Sequence, residues 1–281
     1  MTELEFQQAM ARFLTDPVMR RSVLADGDEP AETSAQVGGP ISPEVRARLR
    51  ALDRRRTSMF SQLLVLNRLT KVVDALPCTS WALGARLWDV VQAYNVRCPP
   101  IHPKKHDEAI TFVGFLESTL PVTPVGPSWL TDVLRYESSV LELRFLPEQA
   151  SAASKGAPRW IGAEDLGRIR PRRSAAVRVL EFDHDIEEIL ATFESGRPAP
   201  DPEHRPMMML LQVLPDGTVR QDEISHAVGE LLGTSSGELS LDAIVDQLAD
   251  RFGQRGRLDE FRTRCVEICA ELAARSVLSL D

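Results

Sequence analysis

The sequence predicts an α+β protein in two parts, a helical first half and a small mixed module at the end. Three observations carry this. Apolar residues recur every three to four positions through most of residues 4–145, the period of helices with one buried face. Between Pro147 and Ser174 the composition shifts to Ser, Ala, Gly and Pro, and then to arginines at positions 159, 168, 170, 172 and 173. Beyond Ser174 the apolar period shortens towards two, and a Pro-Asp-Gly turn appears. The expected domains are a helical one over 1–147, a linker over 148–174 and a strand-and-helix module over 175–281.

In the first half, Leu4–Leu24 contains FQQAMARFL at helical spacing, and Asp26–Pro40, rich in Gly, Pro and Asp, reads as a loop. Ser42 is placed to cap the next helix, with Pro43 at its first position. That helix is expected over Glu44–Leu76 through Leu49, Leu52, Phe60, Leu63, Leu64, Leu66 and Leu69, with Pro77 as its stop. Further helices are expected over Thr79–Tyr94 (Trp81, Leu83, Leu87, Trp88, Val91), Asp107–Leu120 (Ile110, Phe112, Phe115, Leu116) and Trp129–Phe145. Prolines interrupt Arg97–His106 and the turn holding Pro121, Pro124 and Pro127.

In the last third, Ala176–Phe182 alternates like a strand. Met207–Leu214, Pro215-Asp216-Gly217 and Thr218–Ile224 read as a hairpin, because Gly tolerates positive φ at the turn. Helices are expected over His226–Leu232, Leu241–Phe252 and Leu258–Arg275, giving a winged-helix-like module.

Composition narrows the function. With 43% hydrophobic residues in 281, a sizeable core is available. The net charge of −8 does not suit a nucleic-acid or anionic-membrane partner. The alternative function for such a module is DNA binding by a transcription regulator. Residues 176–281 hold 10 arginines and no lysine against 21 Asp and Glu, about −11, and Asp242, Asp246 and Asp250 stripe the second helix where cations are wanted. MTELEFQQAM lacks the basic-then-apolar pattern of a signal peptide, and Met207–Leu214 is too short to span a bilayer, so the cytoplasm is the expected location. The cysteines Cys78, Cys98, Cys265 and Cys269 are then expected to be reduced.

Catalytic and metal motifs are sparse. Cys265 and Cys269 stand at i, i+4, half of a zinc site, but buried Cys more often packs as a small hydrophobe. His102 and His106 flank Pro103, which breaks the helix that a ligand pair needs. Asp183, His184 and Asp185 read as surface charges near a strand end. There is no nucleophile elbow, glycine-rich phosphate loop or HExxH. No metal ligands, cofactor or catalytic residues are assigned, and the chain is read as a non-enzyme.

Two stretches carry a resemblance. LLQVLPDGTVRQDEISHAVGELLGTSSGELSLDAIVDQLADRF, followed by a long helix ending in LAARSVL, resembles the peptide-recognition element of ribosomally made, post-translationally modified peptide pathways. It is similar to the small peptide chaperone of pyrroloquinoline quinone biosynthesis. In the first half, FLTDPVMRRSVLADGD, LRALDRRRTSMFSQLLVLNRLTKVVDALPCTSWALG, LWDVVQAYN, DEAITFVGFLES and PSWLTDVLRYESSVLEL follow in an order that resembles partner proteins of multinuclear non-heme iron-dependent oxidative enzymes, such as methanobactin-type partner subunits. Pro127, Leu130, Asp132, Tyr136 and Glu137 are its most specific part. The Asp26–Pro40 loop and the arginine-rich linker depart from the pattern.

The resemblance implies a division of labour in natural-product biosynthesis. An iron enzyme oxidises a precursor peptide, and this chain binds both as an accessory subunit of a heterodimer, with no cofactor of its own. The leader peptide is expected beside the last hairpin strand and the terminal helix, on Thr218, Val219, Arg220, Gln221, Asp222, Arg262, Val266 and Cys269. The expected contact with the enzyme is Trp129, Asp132, Arg135 and Tyr136, for which core packing is the competing role.

Overall fold

A computed structural model describes residues 2–25, 41–98, 104–145, 166–198 and 201–280, in which helices and small antiparallel sheets make the chain α+β. The expected loop 26–40, His102 and residues 148–165 of the expected linker lie outside the described residues. The chain divides into two compact units, Met1–Pro127 and Ser128–Asp281.

The first unit is helical. Helix α1 (Glu3–Thr15) opens on a reciprocal cap, with Thr2 Oγ1 accepting the Glu5 N–H and the Glu5 carboxylate accepting the Thr2 N–H. Asp16 then turns extended and caps α2 (Pro17–Leu24) through the N–H groups of Val18 and Met19. Residues 4–24 thus hold two helices, the second opened by Asp16-Pro17, because Asp16 leaves the helical region and Pro17 has no N–H to donate. The expected helix 44–76 splits in the same way into α3 (Pro43–Arg50), capped by Ser42, and α4 (Arg54–Ala75), capped by Asp53. Pro77 opens α5 (Pro77–Leu83) at its first position, and Gly84, at φ 51°, separates α5 from α6 (Leu87–Arg97). Helix α7 (Lys105–Thr119) follows. Phe13, Met19, Val23, Val45 and Leu49 form one core between α1, α2 and α3.

Helix α4 is turned against its apolar pattern. It buries Thr57, Ser61, Arg68 and Val72, whereas Phe60, Leu63, Leu64 and Leu66, which periodicity assigned to the core, are exposed. Arg68 and Glu108, both under 5% exposed, explain the turn. Arg68 Nε and the Glu108 carboxylate meet at 2.7 Å, and Arg68 also donates to Asn95 Oδ1 and the Cys98 carbonyl, each at 2.7 Å. Tyr94 donates its hydroxyl to Glu108 at 2.6 Å and lies under the guanidinium, which sits 4.2 Å above its ring. Burial and the Glu108 carboxylate push the Tyr94 hydroxyl's pKa well above its ordinary value. This fully partnered ion pair fastens α4 to α6 and α7.

The second unit begins with α8 (Leu130–Arg144), which the sequence grouped with the helical half. Strands β1 (Pro171–Arg173), β2 (Val177–His184), β3 (His204–Val213), β4 (Val219–Ile224) and β5 (Leu278–Leu280) form two antiparallel sheets, β1-β5 and β2-β3-β4. Helix α9 (Ile186–Glu194) was not foreseen; Asp185 caps it through the Glu188 N–H. Helices α10 (His226–Thr234), α11 (Leu241–Arg251) and α12 (Leu258–Ala274) follow the hairpin, each near its expected span. Residues 166–173 are not free linker. Leu166 is buried, the Leu166 and Ile169 carbonyls accept the first N–H groups of α11, and β1 pairs with β5 at the end of the chain.

The larger sheet is covered on both faces. Val177, Val179, Leu210 and Ile224 point towards the core with α10, α11 and α12, which includes Leu231, Leu232, Ile244, Leu248, Cys269 and Leu272. The opposite residues, Leu180, Met209 and Leu211, lie on the α8 side. This explains the unbroken apolar run MMMLL, since a strand covered on both faces has no polar side.

Candidate functional site

The hairpin is built to present β4 as an end strand. Gly217 sits at φ 81° and its N–H donates to the Leu214 carbonyl at 2.9 Å, closing a three-residue loop with Pro215 and Asp216. Asp216 Oδ1 accepts both the hydroxyl and the N–H of Thr218, at 2.6 and 2.9 Å, and these bonds hold its carboxyl below the usual pKa range. The Leu214 N–H reaches the Thr218 carbonyl at 2.8 Å. Antiparallel pairing alternates from there, so Arg220, Asp222 and Ile224 bond to Gln212, Leu210 and Met208. The N–H and C=O groups of Val219, Gln221 and Glu223 face away from β3, where no described strand lies. They form a row of unpaired donors and acceptors.

The other end strand differs. The Val213 N–H donates to the Ala176 carbonyl, which turns Glu181 outward on β2, and its carbonyl is taken by the Arg135 guanidinium. Between Phe182 and His184 the register slips by a bulge. The two N–H groups this disturbs, of Asp183 and His184, donate to buried Asp132 Oδ2 at 3.2 and 3.1 Å, and the same oxygen meets His184 Nδ1 at 2.8 Å. Ser128 Oγ lies 3.4 Å from His184 Nε2. Serine, histidine and carboxylate thus align as in acyl-transfer triads, but the carboxylate is fully used in fastening α8 to the bulge.

Around the β4 edge, Asp222 is shared by Arg220, at 3.0 Å, and by Arg275 at the end of α12. The Arg275 carbonyl accepts Gln212 Nε2 at 2.7 Å, so the terminal helix is tied to the hairpin there. Gln221, on the other face, accepts the Tyr136 hydroxyl at 2.9 Å. Of the expected peptide-binding residues, Thr218 closes the turn, and Val219, Arg220, Gln221 and Asp222 lie on or beside the free edge. Three do not join them as expected. Arg262 is held by Asp242 and Asp246 of α11, at 2.8 and 3.6 Å; Val266 packs half-buried against the core; and Cys269 is 0% exposed. Burial and neighbouring Cys265 push the Cys269 thiol up to about 12, the behaviour of an inert core residue.

The expected enzyme-contact set is corrected similarly. Trp129 and Asp132 are 1% and 2% exposed and belong to the interior; Arg135 and Tyr136 reach the surface but are engaged by the sheet. Sequence reasoning missed Arg275, which its place in the final helix cap did not advertise, and the Arg68–Glu108 pair, hidden among ordinary surface-type residues.

Elsewhere, the first unit holds a cavity of about 390 Å³ lined by Asp89, Val90, Arg97, Phe115 and Thr119. Among the described residues no three His, Cys, Asp or Glu side chains gather as a metal-holding group, and no helix is long and apolar enough to cross a membrane. No protein-family model matches the chain, and no curated protein matches it either.

Proposed function

We propose that the second unit is a winged-helix-like peptide-recognition module and that the chain is a non-catalytic partner subunit. It binds a ribosomally made precursor peptide and presents it to an iron-dependent peptide-modifying oxidase. The observation that supports this is the free edge of β4, where Val219, Gln221 and Glu223 offer their backbone to a further strand. A guest chain pairs there by strand addition, which takes affinity from the main chain and selectivity from flanking side chains. Arg220, Asp222 and Arg275 give one flank a mixed charge that suits a guest carrying both signs. Holding the guest close to the iron raises its effective concentration, so the catalytic contribution is indirect.

The DNA-binding alternative finds no cationic surface on α11, whose Asp242 and Asp246 are instead partly neutralised by Arg262. The deciding experiment is hydrogen exchange with and without a ribosomally made precursor peptide that the chain binds. Slowed exchange is expected at the amides of Val219, Gln221 and Glu223, with α1–α3 unchanged. A peptide that binds without slowing those three amides ends the reading.

A further inference from the structure

The exposed face of α4 is made of the wrong residues for solvent. Met59, Phe60, Leu63, Leu64 and Leu66 are 53%, 56%, 51%, 36% and 45% exposed. The buried side of the same helix holds Thr57, Ser61 and Arg68, and Ser61 Oγ has no hydrogen-bond partner among the described residues. A helix that buries polar groups and shows its large apolar ones has its apolar face made for something outside the unit. The patch is on the order of 400 Å², about as large as the largest apolar patch of an ordinary monomer, and such patches are commonly functional.

Its charge says what covers it. No Asp or Glu occurs from Arg54 through Val73, in a chain whose net charge is −8. Arg54, Arg55 and Arg56 are exposed beside the patch, and Asp53 pairs with Arg56 at 3.9 Å. A second copy is a poor fit: antiparallel packing about Leu63 sets Arg55 against Lys71 of the other copy. The segment 26–40 has no Leu, Ile, Met or aromatic residue with which to fill the patch.

We infer that the outward face of α4 docks an apolar protein surface rimmed with carboxylates, and that this surface belongs to the iron enzyme. The identity of the occupant rests on the function proposed above. Phe60 and Leu63 are the central anchors, and Arg54–Arg56 steer the approach.

The test uses the full chain and a purified non-heme iron-dependent peptide oxidase, with affinity measured by surface plasmon resonance. Phe60→Glu and Leu63→Glu are exposed changes, so unaltered circular dichroism and melting are expected. Each is expected to weaken the enzyme complex at least 30-fold. Arg55→Glu should slow association several-fold and flatten its salt dependence. Val122→Glu, at an exposed apolar site elsewhere in the unit, should change nothing. Precursor-peptide affinity should be equal in all four variants.

Enzyme binding that survives both α4 substitutions overturns this inference and leaves the peptide reading standing. A wild-type dimer in analytical ultracentrifugation that Phe60→Glu makes monomeric overturns it in favour of a second copy. Binding to phosphatidylcholine–phosphatidylglycerol vesicles that the same substitution abolishes overturns it in favour of a membrane. A wild-type chain that binds the peptide but not the enzyme removes both this docking face and the partner-subunit assignment.

Discussion

Proline at Gln221 separates the free edge of β4 from its ladder. Counting from the Leu214–Thr218 bond, the Gln221 N–H points outward, whereas the Asp222 N–H bonds to Leu210. Proline is tolerated on an end strand where its missing N–H faces solvent. Gln221→Pro should therefore leave the fold intact while removing one donor and crowding the neighbouring acceptor. Two strand-addition hydrogen bonds at about 0.5–1.5 kcal/mol each amount to about 1–3 kcal/mol, or roughly 5- to 150-fold in affinity. Gln221 also accepts the Tyr136 hydroxyl, so Gln221→Ala is the control for the side chain. Fluorescence anisotropy of a labelled precursor peptide should give near-native affinity for Gln221→Ala and the full loss for Gln221→Pro. Asp222→Pro should instead destabilise the unit itself in urea. Equal affinity for the proline and alanine variants, with both folded, refutes strand addition at this edge.

Three further outcomes follow from the interior. Arg68→Ala strands the Glu108 carboxylate in the first unit and should cost about 3–5 kcal/mol in urea unfolding, whereas Arg68→Met with Glu108→Leu should cost less than the single change; a double variant at the sum of the two singles refutes the coupling. Asp132→Ala leaves the Asp183 and His184 N–H groups without their acceptor and should cost at least about 1–3 kcal/mol, while Ser128→Ala should be silent in both stability and esterase assays; a loss of hydrolysis on Ser128→Ala would make the triad-like alignment catalytic. The Cys269 thiol, at about 12 folded against an ordinary 9.0, adds stability that is complete below pH 9 and is lost as pH rises from 9 to 12, at about 1.4 kcal/mol per pH unit; Cys269→Ala should flatten that alkaline slope, and an unchanged slope would show that the thiol titrates alike in the folded and unfolded chain.

The hairpin and the three helices after it were legible because their signals are local. Pro215-Asp216-Gly217 fixes a turn, and Ser225 and Ser240 each sit one residue ahead of a helix as caps. The breaks at Asp53 and Gly84 were present in the sequence but outweighed by apolar runs that continue across them. Two features were not local. The phase of α4 is set by Arg68 meeting Glu108, a contact 40 residues apart that periodicity cannot register. The place of α8 depends on Asp132 reaching a bulge 51 and 52 residues later. Arg262, Val266 and Cys269 were assigned to the site because they share a helix, but that helix turns Cys269 inward and spends Arg262 on α11.

Covering the β2-β3-β4 sheet on both sides leaves entry only along its rim. A strand joining at β4 continues the pleat, so its alternate side chains fall into two files. One file runs over the layer formed by α10, α11 and α12, near Asp222 and Arg275; the other runs over the layer formed by α8, near Tyr136. Odd and even positions of a guest are thereby judged by separate chemistries, and a shift of one residue would exchange every side chain between them. Tolerance to substitution along such a guest should follow a two-residue rhythm.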